Sequence, residues 1–315
     1  MHYRRLGDSG LHLSEIGLGG WLTFGNAVEQ STARAIFAKA FDVGINFFDT
    51  ANVYANGKGE EAFGDILKDH RRESFVLATK VFWPMGPGVT EKGLSRKHIM
   101  EQCHASLRRL KVDYIDLYQA HRFDETTPLE ETIRAMDDLV HQGKILYWGF
   151  SEWPVEQVER ALQICGDRYY KPKSSQPCYN MLTRKPEQGL FQLCSHAGIG
   201  QVCYSPLAQG VLTGKYKPNQ PPPQGTRATN PKMNKFITHI LDDASALPKV
   251  QRLTTIAHEQ DMSMPQLALA WNLRRPEVTS NIIGATKPEQ VEQNAEASGI
   301  KLDDATVARI EEVLA

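Results

Sequence analysis

Four polar side chains of different chemistry lie at or just beyond the ends of short apolar runs in the first half of the chain. One run ends in Asp49, a second in Lys80 and a third in His121, and Tyr54 follows the first run within one loop. Each residue alone has an ordinary interpretation. Asp49 could cap a helix and Lys80 could reach water. His121 could line a wall and Tyr54 could pack on a loop.

Together, these four residue types are the parts of a proton donor. A lysine ammonium beside Tyr54 would favour the phenolate, and we expect it to lower the tyrosine pKa from about 10 toward neutrality. Asp49 would keep Lys80 charged and oriented. His121 would donate a hydrogen bond to a carbonyl oxygen and stabilise the alkoxide that develops there. The combination predicts carbonyl reduction, with hydride from a nicotinamide.

The elements that must position these residues are short strands alternating with amphipathic helices, a pattern typical of a parallel sheet with crossover helices. Eight strands are predicted to end at Gly20, Asp49, Lys80, His121, Ser151, Gln176, Ser205 and Gly284. Helical spacing falls near residues 31–43, 60–69, 96–110, 129–142, 155–165 and 187–197. Eight such units predict a (β/α)8 TIM barrel, in which catalytic residues lie at the carboxyl ends of the strands.

Additional segments decorate the predicted barrel. Residues 3–14 read as a hairpin closing its base, and the proline-rich stretch 216–236 reads as a long loop after the seventh strand. Helices are predicted near 246–260 and 265–275, and a last helix, over 303–315, is expected to lie outside the barrel. We expect residues 1–315 to form a single barrel domain.

The overall composition narrows the partners. Asp plus Glu number 37 against 36 for Lys plus Arg, so the formal charge of -1 gives no field that would hold nucleic acid or an anionic membrane. The five scattered cysteines lack metal-binding spacing and fit reduced thiols that fill a core. The sequence therefore predicts a cytoplasmic protein that acts on a small molecule without a metal. A homo-oligomer is possible, and the oligomeric state stays open.

The segment around Tyr54 resembles the aldo-keto reductase signature. It reads Asn46-Phe47-Phe48-Asp49-Thr50-Ala51-Asn52-Val53-Tyr54, followed by Gly57-Lys58-Gly59-Glu60. Further matching segments are Ala78–Val81, Tyr114–His121, Gly149–Ser151, Tyr204–Ala208 and Gly284–Thr286. The resemblance covers essentially the whole chain. Within the family, the chain is most similar to the branch that contains the potassium-channel β subunits and their bacterial relatives.

This resemblance implies NADP(H) as the cofactor and a small-molecule carbonyl compound as the substrate. It places the acid–base tetrad on Asp49, Tyr54, Lys80 and His121. Ser151 and Gln176 would contact the nicotinamide carboxamide, and Tyr204 would stack on the ring. The remaining contacts, to the pyrophosphate and the adenosine half, would come from Ser205, Pro206, Leu207, Gly210, Lys215, Arg227, Gly284, Thr286, Lys287, Gln290 and Asn294.

Two positions depart from the common family pattern. Glu152 stands where many members carry asparagine beside the carboxamide. Gln290 stands where many carry an arginine for the 2′-phosphate, so that role would pass to Arg227 and Lys287, and NADPH is still expected over NADH. The channel β subunits carry asparagine at the position of His121, so this chain is better equipped for catalysis than they are.

Other motifs were weighed against this interpretation. Gly57-Lys58-Gly59-Glu60-Glu61-Ala62 formally matches a dinucleotide-binding fingerprint, but its distance from the preceding strand favours glycines that simply lead into a helix. Among the aromatic residues, Trp21, Phe82 and Trp83 are predicted to line the substrate pocket, with Trp153 as a further candidate. Trp148 is expected in the core, and Trp271 is expected to pack its helix on the barrel.

Two other functions remain open from sequence. A cofactor-bound redox sensor or regulatory subunit with little turnover is the main alternative, and alcohol oxidation is the reverse of the predicted reaction. The sequence does not predict which aldehyde or ketone is the physiological substrate.

Overall fold

The computed structural model describes residues 1–25, 28–231 and 233–315, and its centre is a closed barrel of eight parallel strands. Around the barrel the strands follow the order β10-β3-β4-β5-β6-β7-β8-β9. Their bounds are β3 Ile16–Gly19, β4 Phe47–Asp49, β5 Val76–Val81, β6 Ile115–Ala120, β7 Ile145–Ser151, β8 Ser174–Gln176, β9 Gly200–Tyr204 and β10 Val278–Ile283. The (β/α)8 prediction is confirmed, and each predicted strand end lies within one residue of the observed one.

Helices surround the barrel. Their bounds are α1 Gln30–Asp42, α2 Lys58–Leu67, α3 Arg96–Leu110, α4 Leu129–His141, α5 Val155–Cys165, α6 Leu190–His196, α7 Thr238–Leu241, α8 Ala246–Glu259, α9 Met264–Leu273, α10 Pro288–Ala295 and α11 Asp304–Leu314. Strands β3, β5, β6 and β10 are buried along their whole length, as expected when helices cover a parallel sheet. None of the described helices is both long and apolar enough to cross a membrane.

The register of neighbouring strands brings their carboxyl ends to one edge. Asp49 pairs with Ala78 two residues before Lys80, and Lys80 pairs with Gln119 two residues before His121. Ser151 pairs directly with Gln176. Polar residues far apart in sequence therefore meet at the same end of the barrel.

The base of the barrel is closed by a hairpin of β1 (Tyr3–Arg5) and β2 (His12–Ser14). Leu6 and Leu13 are fully buried in a cluster with Phe47, Val76 and Leu117 from the strands. The predicted hairpin at the base is confirmed. It shields the apolar lower interior from water.

Two helices were not predicted from the sequence. Helix α7 has only four residues, and α10 is a polar segment that begins at Pro288 and buries Val291, Asn294 and Ala295. The described residues of the proline-rich stretch, 216–231 and 233–236, are irregular, as predicted, apart from short 3₁₀ turns over Arg227–Thr229 and Asn234–Phe236.

The last helix, α11, packs outside the barrel against α8, as predicted. Its N-cap Asp303 accepts a hydrogen bond from the Thr306 amide. Glu311 receives hydrogen bonds from Arg274 and from the indole of Trp271, which is fully buried. Trp271 thus packs its helix on the barrel, and Trp148 is core, both as expected.

Candidate active site

Lys80 and Asp49 form a buried ion pair at the carboxyl edge of the barrel. Lys80 Nζ lies 2.6 Å from Asp49 Oδ2 and donates to the Thr50 carbonyl oxygen at 2.7 Å. The Lys80 side chain is fully buried, so it does not reach water. Burial lowers the lysine pKa, and the Asp49 carboxylate opposes that shift. The sequence-based expectation that Asp49 orients Lys80 agrees with this geometry.

Tyr54 lies beside this pair, with its hydroxyl 3.5 Å from Lys80 Nζ. The expectation that Lys80 lowers the tyrosine pKa toward neutrality is wrong for this structure. Burial raises the pKa of Tyr54 well above its usual value, and the Asp49 carboxylate raises it further. The lysine charge is compensated by its own ion pair, so desolvation of the phenolate dominates.

His121 completes the group. Its ring centroid lies 5.8 Å from that of Tyr54. Burial, with the charges of Lys80 and Arg122, holds the pKa of His121 well below its usual range. Its Nδ1 is buried and has no hydrogen-bond partner in the described part of the chain. The imidazole is therefore neutral and carries one N–H.

Polar side chains from strands β6 and β8 hold the Asp49 carboxylate. The second oxygen of Asp49 accepts a 2.9 Å hydrogen bond from Gln176 Nε2, and Gln119 Nε2 lies 3.5 Å away. Gln119 in turn accepts from Ser174 Oγ at 3.0 Å. This network holds the Asp49 carboxylate in one orientation toward Lys80.

Backbone geometry places Tyr54 at the start of a 3₁₀ turn that ends at Gly57. Gly57 has φ +90°, and a Cβ there would lie only 2.9 Å from Arg109 Cδ, so the turn requires glycine. Helix α2 begins directly after it, and its Glu60 is buried, accepting from Arg109 and Thr79. The glycines lead into a helix beside the site, as expected, rather than forming a dinucleotide fingerprint.

Backbone strain gathers around the same edge. Several residues other than glycine adopt positive φ in the loops that follow barrel strands. They are Leu22 after β3, Ala55 and Asn56 after β4, Glu152 after β7, and Ser205, Ala208 and Gln209 after β9. Such conformations cost free energy and occur often at functional sites.

The residues expected at the nicotinamide lie together on neighbouring strand ends. Ser151 Oγ donates to the Gln176 carbonyl oxygen at 2.8 Å, which joins the ends of β7 and β8. Tyr204 ends β9, the next strand, and Asn180 Nδ2 donates to the Ser205 carbonyl oxygen at 3.0 Å.

The segment after β9 continues through Pro206, Leu207 and Gly210 toward two cations, the exposed Lys215 and the half-buried Arg227. The Lys215 ammonium lies near Gly210, where a Cβ would be 3.4 Å from Nζ. Arg227 donates to the side chain of Gln209. Burial lowers the pKa of both cations, and the Arg227 guanidinium lowers that of Lys215 further. Among the described residues, neither cation has an acidic partner.

The residues expected at the adenosine phosphate follow β10. Gly284 comes directly after the strand and Lys287 is the N-cap of α10. Gln290 Oε1 accepts from the Thr286 amide at 2.8 Å and lies 3.3 Å from its hydroxyl, so it closes back on the loop. Asn294 is buried on the same helix.

Comparison with known proteins agrees with this geometry. A sequence model described as Aldo/keto reductase family matches residues 15–315. The chain belongs to the aldo/keto reductase family.

Three relatives of this chain are named as potassium channel subunits. It is 43% identical to a probable voltage-gated potassium channel subunit beta of Oryza sativa subsp. japonica, over 94% of this chain and 91% of the relative. It is 42% identical to a protein of the same name from Arabidopsis thaliana, over 100% of this chain and 97% of the relative. A putative voltage-gated potassium channel subunit beta of Schizosaccharomyces pombe (strain 972 / ATCC 24843) is 40% identical, over 99% of this chain and 93% of the relative.

Aromatic side chains stand around the mouth of this reductase-family site. Trp83 is 37% exposed, and its ring centroid lies 5.0 Å from that of Phe82 and 6.4 Å from that of His121. Trp21 packs edge-on against Phe236 of the long loop, with centroids 4.6 Å apart. Trp153 is buried against Phe150 and is core, so it does not line the mouth.

Sequence reasoning missed Arg122, which directly follows His121. Its guanidinium donates through Nη1 to the His121 carbonyl oxygen at 2.5 Å and lies 3.3 Å from Ser151 Oγ. Its position in the sequence could have indicated it, because Arg122 directly follows a candidate catalytic histidine at the end of a predicted strand. In the described ranges, no group of three or more His, Cys, Asp or Glu side chains could hold a metal ion.

Proposed function

We propose that the protein is an NADPH-dependent reductase of aldehydes and ketones. The observation that carries this proposal is the fully buried Lys80, which bridges the Asp49 carboxylate and the Tyr54 hydroxyl at the catalytic edge of the barrel. The ion pair with Asp49 holds the Lys80 ammonium, without access to water, beside the position where the Tyr54 phenolate would form. The His121 ring lies next to the Tyr54 ring, with centroids 5.8 Å apart.

A reduced nicotinamide, when bound, supplies the hydride that adds to the carbonyl carbon. Tyr54 donates its phenolic proton to the oxygen as negative charge develops there. Its raised pKa keeps the phenol protonated until that moment. The phenolate left behind lies beside the Lys80 ammonium, and the neutral imidazole of His121 offers its N–H to the same substrate oxygen.

Lys215 and Arg227 fit the phosphate groups of the cofactor. The two cations lie close enough for the charge of Arg227 to lower the pKa of Lys215, and neither has an acidic partner among the described residues, so a bound anion would stabilise both. Ser205, Pro206, Leu207 and Gly210 would approach the same groups. A preference for NADPH over NADH would come from Arg227 and Lys287, with Gly284, Thr286, Gln290 and Asn294 around the adenosine half.

Ser151, Gln176 and Tyr204 would hold the nicotinamide end, while Trp21, Phe82 and Trp83 would line the substrate pocket. We also propose a cytoplasmic location, because the described cysteines are free thiols and most are buried. A homo-oligomer is compatible with this role.

A regulatory subunit that binds NADP(H) and turns over little is the second candidate. It is favoured by the names of the relatives, which are potassium channel β subunits. The two candidates share the cofactor site and differ in the rate of carbonyl reduction.

The test is the loss of NADPH absorbance with 4-nitrobenzaldehyde and methylglyoxal, with NADH in parallel and with a Tyr54→Phe variant. Removing a general acid is expected to slow turnover on the order of 10²- to 10⁴-fold. NADPH binding, measured by fluorescence, should survive the substitution. Tight NADPH binding without turnover on either carbonyl would overturn the reductase proposal and favour the regulatory subunit.

A further inference from the structure

Arg122 places an uncompensated positive charge at the mouth of the site. Its Nη1 hydrogen bonds go to the His121 carbonyl oxygen and to Ser151 Oγ, both of which are neutral. No described acidic side chain forms an ion pair with it. Glu152, which follows Ser151, instead accepts a hydrogen bond from the Cys178 amide at 2.6 Å.

The remaining donors of Arg122 are available. Nε and Nη2 donate to none of the described residues, and the side chain is only half-buried. The guanidinium carbon lies 5.7 Å from the ring centroid of Trp83, which borders the mouth. The Trp83 ring and the two Nη1 hydrogen bonds therefore hold the guanidinium in place while leaving one of its edges unpaired.

Each other cationic or titratable side chain considered at this edge of the barrel is paired, neutral or assigned to the cofactor. Lys80 is neutralised by Asp49, and His121 is neutral because its pKa lies well below its usual range. Lys215 and Arg227 are assigned to the cofactor phosphates under the proposed function. Arg122 is thus the cation beside the tetrad that has neither an acidic partner among the described residues nor a proposed ligand.

We propose that Arg122 binds a carboxylate of the substrate, so that the protein prefers oxo acids and aldehyde acids over uncharged carbonyl compounds. This inference rests on the proposed reductase function. A planar guanidinium with a free edge matches a carboxylate, which it can bind through two parallel hydrogen bonds. Because Arg122 donates to the His121 carbonyl oxygen and lies near Trp83, the acid group would bind on the side of the site that these two residues border.

The experiment compares acids with their methyl esters, which carry the same reacting aldehyde group without the negative charge. The pairs are succinic semialdehyde with methyl 4-oxobutanoate, and 4-carboxybenzaldehyde with methyl 4-formylbenzoate. For each pair, the ratio of kcat/KM is measured with wild type, Arg122→Lys and Arg122→Met. Because the ratio is taken within one variant, a general loss of activity cancels.

We expect the wild type to favour the acid by tenfold or more in at least one pair. Arg122→Lys keeps the positive charge but cannot form the two parallel hydrogen bonds, so it should retain part of the preference. Arg122→Met should bring the ratio close to one. A wild-type ratio near one in both pairs, or a preference that survives in Arg122→Met, would overturn the inference while leaving the reductase proposal intact.

A binding measurement separates the two proposals. Calorimetric titration of the NADP⁺ complex with 4-carboxybenzyl alcohol needs no turnover. We expect the dissociation constant to rise tenfold or more in Arg122→Met, while Arg122→Lys shows a smaller rise. Unchanged binding in Arg122→Met would contradict a carboxylate site even if no carbonyl compound were reduced.

Discussion

At the level of single residues, the behaviour of Tyr54 depends on how well its surroundings solvate a phenolate. Lys80 lies 3.5 Å away, yet its charge is already compensated by Asp49 at 2.6 Å. Burial therefore dominates and the pKa of Tyr54 rises. The sequence supplied the identities of the partners but not the degree of burial, so it gave the wrong direction for this pKa.

The pH dependence of reduction tests this point. Because the pKa of Tyr54 is raised, the acid stays protonated, and kcat for 4-nitrobenzaldehyde with NADPH should be constant between about pH 7 and 9.5. The lowered pKa first expected from sequence would instead make kcat fall as Tyr54 loses its proton. A decline with a midpoint between about pH 7 and 9 would contradict the buried, protonated phenol.

Arg122 shows the same limit of sequence reasoning. A lone arginine after a strand is usually a solvated side chain. Only the structure shows that its hydrogen bonds go to neutral groups and that it adjoins Ser151 and Trp83.

At the level of elements, strand ends were predictable because apolar β-branched runs stop where polar residues begin. Helix α10 was missed, since its polar sequence buries little apolar surface and its start depends on Pro288. The long loop was predicted to be irregular from its prolines. The contact of this loop with the mouth of the site was not predicted, because the packing of Phe236 on Trp21 joins residues far apart in sequence.

That contact should affect cofactor release. Arg227, a proposed phosphate ligand, belongs to the same loop, and its guanidinium carbon lies 5.6 Å from the Trp21 ring centroid. Phe236→Ala removes an aromatic pair worth about 0.5–1.5 kcal/mol, so NADPH should dissociate roughly 2- to 13-fold faster in stopped-flow fluorescence. Phe236→Leu, which keeps apolar contact, is the matched control and should show a smaller change. An unchanged rate in Phe236→Ala would show that the loop does not need this contact to hold the cofactor.

At the level of the whole molecule, the barrel buries ionisable groups on which its stability depends. The folded-state pKa of His121 lies well below the unfolded value of about 6.5, so the folded protein binds fewer protons. Above about pH 6.5 the ring is neutral in both the folded and the unfolded state, so the free energy of unfolding does not depend on its titration. Below that pH the free energy of unfolding decreases as the pH falls, by up to about 1.4 kcal/mol per pH unit.

Urea unfolding at pH 7.5 and 5.5 measures this loss. In His121→Asn, which cannot titrate, the free energy of unfolding should decrease by about 1 kcal/mol less than in wild type. His98, whose pKa is also lowered, is present in both proteins and cancels. Equal losses in the two proteins would mean that His121 is protonated at pH 5.5 in the folded state as well as in the unfolded state.

The proposed reductase must transfer hydride from the nicotinamide to a carbonyl carbon. The direct measurement is a single turnover in which excess protein reduces 4-nitrobenzaldehyde with NADPH that carries deuterium at nicotinamide C4. Both C4-deuterated epimers are tested, and the product is analysed by mass spectrometry. We predict 4-nitrobenzyl alcohol with one deuterium on the carbinol carbon from one epimer. Tyr54→Phe should yield little alcohol on the same timescale. Alcohol without deuterium from either epimer, or no alcohol from wild type, would contradict the account.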